Sequence, residues 1–212
     1  MNPLPLIVRN SAGLAEYEPV WRAMQAFTRE RNDTTTDELW SLQHPPVYTL
    51  GLAGKPEHLL KASHIPVIKV DRGGQITYHG PGQIVVYLLV DLRRRRLTVK
   101  GLVRLMEDAV MATLADQGVE AALLPGAPGV YVKGAKIAAL GLRVQRGCSY
   151  HGVALNVDLD LAPFARINPC GYAGMPVTRT LDLGISLPLA DLERQLLEQL
   201  TTRLQACGTT TS

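Results

Sequence analysis

Apolar residues recur at spacings of three and four in three stretches of this chain, and gather into short runs between them. Leu14, Tyr17, Trp21 and Met24 predict a first helix. Val99, Leu102, Val103, Met106, Val110 and Leu114 line one face of a second, with Gly118 placed to cap its end. A third starts near Pro188 and puts Leu192, Leu196, Leu200 and Leu204 on one stripe. The tail at 207–212 is small and polar and is expected to fray.

The intervening runs predict strands. Residues 65–70 are short and β-branched, and residues 84–92 are apolar enough for a strand buried on both faces. Residues 131–136 read as strand, tight turn, strand, and 137–145 and 153–159 as two strands joined around Arg146 and Gly147. Strands in runs, with helices grouped apart, indicate an α/β protein of the α+β kind with a mixed sheet flanked by helices. No repeat or linker divides the chain, so residues 1–212 are expected to form one domain.

Composition narrows the class. Hydrophobic residues make up 46% and charged residues 19%, which excludes a disordered or fibrous chain. Lys plus Arg is 22 and Asp plus Glu is 19, and the net charge of 22 − 19 = +3 is too small to point to nucleic acid. Three cysteines, Cys148, Cys170 and Cys207, are too few and odd in number for a disulfide framework and suit a reducing compartment. The first residues show no leader pattern, and the longest apolar run, 84–90, falls far short of the roughly 20 residues a membrane helix needs. A soluble, cytoplasmic protein is expected, with neither nucleic acid nor membrane as a partner.

Three polar, glycine-rich islands stand out from this scaffold. Residues 71–83 interleave Gly73, Gly74, Gly80, Pro81 and Gly82 with Arg72, Tyr78 and His79, so backbone N–H groups can approach a ligand closely. No Gly-Lys-Ser/Thr follows, so this is not a phosphate-binding loop of the Walker type. Residues 129–141 contain Lys136, followed by an apolar strand. That suits a partly dry setting in which a lysine amine can act as a base, although a solvated hairpin lysine is the commoner case. The third island combines 148–152 with the Pro/Gly-rich stretch 166–174, which holds Cys170. Cys148 and His151 have half-site metal spacing, but no second pair follows and no metal is expected. A Cys–His nucleophile is the stronger alternative, with Cys170 or Cys148 paired to His79 or His151, and spacing does not choose among these pairs.

Residues 72–83, 129–132 with 136–141, 146–157 and 167–171 together resemble the signature blocks of the lipoyl/octanoyl transferases, in that family's order. Tyr78, where phenylalanine also occurs, and Ala139, where serine also occurs, are mild departures. The resemblance implies a fold like that of biotin and lipoate protein ligases, and transfer of an octanoyl or lipoyl group from acyl carrier protein to a lysine of a lipoyl domain. The acceptors it implies are the lipoyl domains of 2-oxoacid dehydrogenases and the glycine cleavage H protein. It implies Cys170 as the acyl-thioester nucleophile, with Lys136 as its activating partner. It implies substrate contacts from Arg72, Gly73, Gly74, Gln75, Ile76, Thr77, Tyr78 and His79, from Ala139, Leu140 and Gly141, and from Gly152, Val153 and Ala154. A thioester donor arrives activated, so no cofactor and no ATP are expected. An ATP-dependent lipoate or biotin ligase is the alternative on the same fold. The four arginines 93–96 are a candidate docking patch for an acidic carrier, or else a solvated basic turn.

Overall fold

The computed structural model describes residues 4–60, 64–168 and 174–208. Among these, the larger sheet orders its strands β1 (Leu6–Leu14), β2 (Asp37–Gln43), β6 (Gln83–Leu89), β10 (Cys148–Asn156), β9 (Ala135–Gln145), β8 (Ala127–Val132) and β7 (Ala122–Leu124). Only β1 and β2 run parallel in it, and the other neighbours are antiparallel. A smaller sheet places β3 (Val47–Leu50) between β4 (Val67–Lys69) and β5 (Ile76–His79). Three helices accompany them: α1 (Tyr17–Glu30), α2 (Val99–Ala115) and α3 (Leu189–Ala206). The expected mixed sheet flanked by helices is present.

The doubly apolar run at 84–92 is the centre of the molecule. Along β6 and the residue after it, Ile84, Val86, Leu88 and Val90 pack with α2 and α3, whereas Val85, Tyr87 and Leu89 pack with α1. The side-chain period of two thus fills one core on each face. The α3 stripe of Leu192, Leu196, Leu200 and Leu204 is buried as its spacing requires. In α2, Leu102, Met106, Val110 and Leu114 are buried, but Val99 faces solvent. The side chain of Thr98 caps this helix by accepting the Gly101 N–H at 3.0 Å. The helix ends before Gly118, which instead makes the following turn at φ +73°.

Both predicted tight turns carry two residues of positive φ, Lys133 (+50°) with Gly134 (+82°) and Arg146 (+52°) with Gly147 (+82°). Such turns match the twist of the strands they join.

Elsewhere the expectations need correction. Leu14 belongs to β1 and is exposed, so the first helix starts later, at Tyr17. Strands β1, β2, β3, β5 and β7 were not foreseen, and β10 begins at Cys148 rather than Val153. The basic turn at 93–96 divides. Arg93 and Arg96 face solvent, but Arg95 is fully buried and donates to Asp37 Oδ2 (2.5 Å), the Leu204 carbonyl (2.7 Å) and the Pro5 carbonyl (3.0 Å). Arg94 reaches Asp37 Oδ1 at 2.6 Å, and Arg31 pairs with the same carboxylate. This knot ties β2, the turn, the N-terminal segment and α3 together, and takes Arg94 and Arg95 out of any four-arginine docking patch.

Candidate functional site

On the α1 face, the middle of the large sheet opens into a narrow cleft. Strand register explains the opening. Gly141 lies opposite Gly152, and Ala139 opposite Ala154, so two adjacent strands present small residues side by side. A Cβ on Gly152 would stand 2.1 Å from the Val86 carbonyl oxygen, and one on Gly141 would stand 2.9 Å from Arg72 Cδ. Bulk at these positions would close the cleft or displace the arginine.

The cleft collects most of the residues implied by the resemblance. Arg72, Gly74, Gln75, Ile76, Thr77, His79, Ala139, Leu140, Gly141, Gly152, Val153 and Ala154 all border it. Two do not. Gly73 ties the loop to β9 through its N–H to the Leu142 carbonyl at 2.9 Å. Tyr78 turns away, with ring centroids 5.6 Å from Tyr48 and 5.5 Å from Phe164. Tyr17, Val85, Tyr87 and His151 complete the wall. Helical spacing marked Tyr17 only as a core position, and nothing local distinguished Val85 or Tyr87 within their apolar run.

The polar groups of the wall are fixed by hydrogen bonds. Arg72 donates to the Thr49 carbonyl (2.7 Å), to Thr49 Oγ1 (2.9 Å) and to the Gly73 carbonyl (2.9 Å). Gln83 Nε2 donates to Asn156 Oδ1 at 2.9 Å, so its Oε1 accepts from His79 Nδ1 at 2.8 Å. His79 Nε2 is then the acceptor facing the Thr49 hydroxyl at 3.4 Å. Burial, reinforced by His44 and Arg72, pushes the His79 pKa down to about 3, so its ring is neutral at physiological pH. His44, which bonds the wall residue Tyr87 without lining the cleft itself, behaves alike. Burial brings it to about 4, its Nδ1 donates to the Ala15 carbonyl at 2.6 Å, and its Nε2 accepts from the Tyr87 hydroxyl at 2.7 Å.

A carboxylate supports the rim. Asp71 accepts from Trp21 Nε1 (2.8 Å) and Gln25 Nε2 (3.0 Å) of α1, and from the Tyr150 hydroxyl (2.5 Å) and His151 Nε2 (3.0 Å) of β10. Burial alone would raise the Asp71 carboxyl, but these four donors outweigh it and hold the group well below the usual carboxylate range. His151 adopts φ +61° within a strand, uncommon for a residue with a side chain. Asp71 and His151 both lie in islands noted above, but their pairing joins residues 80 apart and has no local signal.

Lys136 is buried on β9 rather than solvated in a hairpin. Its Nζ donates to the Pro128 carbonyl at 3.1 Å and lies 5.3 Å from the Tyr131 ring centroid. Its backbone is bracketed by 176–178, with its N–H on the Pro176 carbonyl (2.8 Å) and its carbonyl accepting the Thr178 N–H (2.9 Å). Cys170 lies outside the described residues. Cys148 is buried, and burial raises its thiol pKa, which makes it a poor nucleophile. The rings of His79 and His151 are bonded to other partners, not to Cys148. Among the described residues no three His, Cys, Asp or Glu side chains gather to hold a metal ion, and no helix is long and apolar enough to cross a membrane.

Residues 16–201 match the family of the lipoyl protein ligase A/B catalytic domain. The chain is 62% identical over 192 residues to an octanoyltransferase of Laribacter hongkongensis, covering 91% of this chain and 93% of that one. It is 60% identical over 200 residues to one of Thiobacillus denitrificans, covering 94% and 92%. Among solved structures, lipoate-protein ligase A bound with ATP superposes with a TM-score of 0.76 at 16% identity, over 96% of this chain and 86% of that one. A bi-partite lipoate protein ligase from Thermoplasma acidophilum, described with its E2 lipoyl domain, gives 0.73 at 15% identity, over 96% and 84%. The biotin protein ligase of Aquifex aeolicus gives 0.54 at 9% identity, over 94% and 69%. At these identities the likeness is one of fold.

Proposed function

The chain belongs to the lipoyl protein ligase A/B catalytic family, among its octanoyltransferases, and on that footing we propose a covalent route for its octanoyl transfer in protein lipoylation. The donor is an octanoyl thioester of acyl carrier protein, and the acceptor is a lysine of a lipoyl domain, such as those of 2-oxoacid dehydrogenases or the glycine cleavage H protein. Residues 1–212 act as one acyltransferase domain. The observation that carries the reading is the buried amine of Lys136 on β9, the strand whose small residues form the cleft floor.

The Cys170 thiolate attacks the donor carbonyl, a carbon–sulfur bond forms, and the carrier thiolate leaves and takes a proton. The acceptor amine then attacks the acyl-enzyme, loses a proton, and releases Cys170 as the new amide forms. A free thiol with a pKa near 8.5 is only about 3% ionised at pH 7, so a neighbouring lysine ammonium promotes the first step. An acceptor lysine with a pKa near 10.4 costs about 4.6 kcal/mol to hold neutral at pH 7. A base that takes its proton during attack offsets much of that cost. Lys136 serves both steps by giving its proton to the departing carrier thiolate and receiving one from the acceptor amine. The neutral imidazole of His79, Val85, Tyr87 and the small residues of β9 and β10 suit an uncharged acyl chain.

Incubation with octanoyl carrier protein in the absence of ATP, followed by intact mass and peptide mapping, tests the route. An octanoyl adduct on Cys170 is expected, and Cys170→Ala should lose it together with at least about a thousandfold in transfer. An unmodified enzyme that transfers octanoate only when supplied with free acid and ATP would overturn this reading in favour of a ligase.

A further inference from the structure

Glu107 stands on α2, which packs against strand β8. It is buried, 8% exposed, and borders a second cleft with Val103, Leu123, Leu124, Pro125, Gly126 and Pro128. An acid is a costly choice for packing among such residues. Its Oε1 accepts the Gly129 N–H at 3.3 Å. That N–H belongs to the same peptide group as the Pro128 carbonyl, which accepts from Lys136 Nζ at 3.1 Å. One peptide dipole is therefore held end to end, with its N–H on a carboxylate and its C=O on the lysine amine.

Gly129 explains why the peptide needs holding. At φ +141°, a Cβ there would stand 2.9 Å from Lys136 Cε and 3.2 Å from Nζ, so only glycine lets the lysine reach the carbonyl. Glycine also leaves the adjoining peptide freest to rotate. Glu107 supplies the restraint that glycine removes.

We propose that Glu107 is a positioning residue for Lys136, acting through the peptide that joins Pro128 and Gly129. A carbonyl oxygen only accepts, so Nζ must point an N–H at it in either protonation state. In the neutral amine the lone pair is thereby turned away from Pro128 and is available to take a proton. The carboxylate behind the peptide adds negative charge on the line to the ammonium and strengthens both hydrogen bonds. The inference rests on the base role given to Lys136 above.

Glu107→Gln keeps an oxygen for the Gly129 N–H but removes the charge, and Glu107→Leu removes both. Release of octanoate from pre-formed acyl-enzyme to a lipoyl domain, followed in single turnover, should slow about 3- to 10-fold in the first variant and about 10- to 100-fold in the second. KM for the acceptor should stay within about twofold, because neither change touches the acceptor. The deciding comparison repeats Glu107→Gln in a Lys136→Ala background. If Glu107 acts through Lys136, the added substitution has no further effect there. An equal slowing in both backgrounds would overturn the positioning role and leave Lys136 in place. A Lys136→Ala enzyme as fast as the parent would instead overturn the base role itself. Glu107→Gln is close in shape to the native residue, so the comparison stands even if Glu107→Leu folds poorly.

Discussion

Asp71→Asn should loosen the cleft rim by a calculable amount. Asp71 receives four donors, two from α1 and two from β10, on its two oxygens. An asparagine keeps one oxygen, which can retain Trp21 and His151, both on Oδ1. Its amide nitrogen then faces Tyr150 and Gln25, which can reverse to accept by rotating a hydroxyl and flipping an amide. No donor is stranded, so the cost is the loss of charge assistance on the bonds. At about 1 kcal/mol each, lessened by water at a rim side chain 25% exposed, this comes to about 2–4 kcal/mol. For a chain of this size that lowers Tm by about 4–16 °C.

The pH dependence of this loss has a definite sign. The folded Asp71 pKa lies below its unfolded value, so its contribution is present above about pH 4 and fades as pH falls toward the folded value. His151 is held down by burial while Asp71 pulls it back up, so protonation of His151 favours the parent protein in mild acid. Urea unfolding of both proteins should therefore show a stability gap at pH 5 no smaller than at pH 7. A gap under about 1 kcal/mol at pH 7, or one that shrinks between pH 7 and 5, would refute the view of Asp71 as an ionised four-donor hub.

Asp37→Asn should cost about 3–5 kcal/mol, because fully buried Arg95 loses its counter-charge. Activity per folded molecule, measured well below the melting range, should be unchanged. Lys136→Arg keeps a cation but supplies no base. Rapid-quench assays should show acyl-enzyme forming within about tenfold of the parent rate, with release to the lipoyl domain slower by on the order of a thousandfold. Normal release would remove the base role.

The parts legible in the sequence are those whose partners are apolar or close by. The α3 stripe, the doubly buried β6 and both two-residue turns announced themselves through period or local chemistry. Strand β2 did not, since it buries Asp37, Glu38 and Ser41. Each is paid for by a distant partner: the Asp37 arginines, Arg9 for Glu38, and Glu193 for Ser41. Strand β1 lies at a sheet edge with exposed residues along most of its length, so no alternation marks it. In the site, the glycine-rich blocks were visible because close backbone approach needs particular residue types. Tyr17, the Asp71–His151 pair and Glu107 were not, because each acts across the fold.

The neutral imidazoles at the cleft connect its structure to its substrate. Burying the six methylenes of an octanoyl chain contributes about 5 kcal/mol at about 0.8 kcal/mol each, and an imidazolium beside them would draw in water and weaken that gain. His79 in the wall, and His44 behind it on the Tyr87 hydroxyl, are kept neutral by burial, with pKa values near 3 and 4. Both folded values lie below the unfolded one of about 6.5, so the unfolded chain binds protons first and folding loses stability as pH drops beneath 6.5. At pH 5 the expense is about 2 kcal/mol for each histidine. A protein needing only a packed core there could place leucine at both positions and avoid it. The two imidazoles instead fix Tyr87 and Gln83 by directional hydrogen bonds while remaining uncharged. They set the polar frame of the wall and leave its surface suited to an alkyl chain.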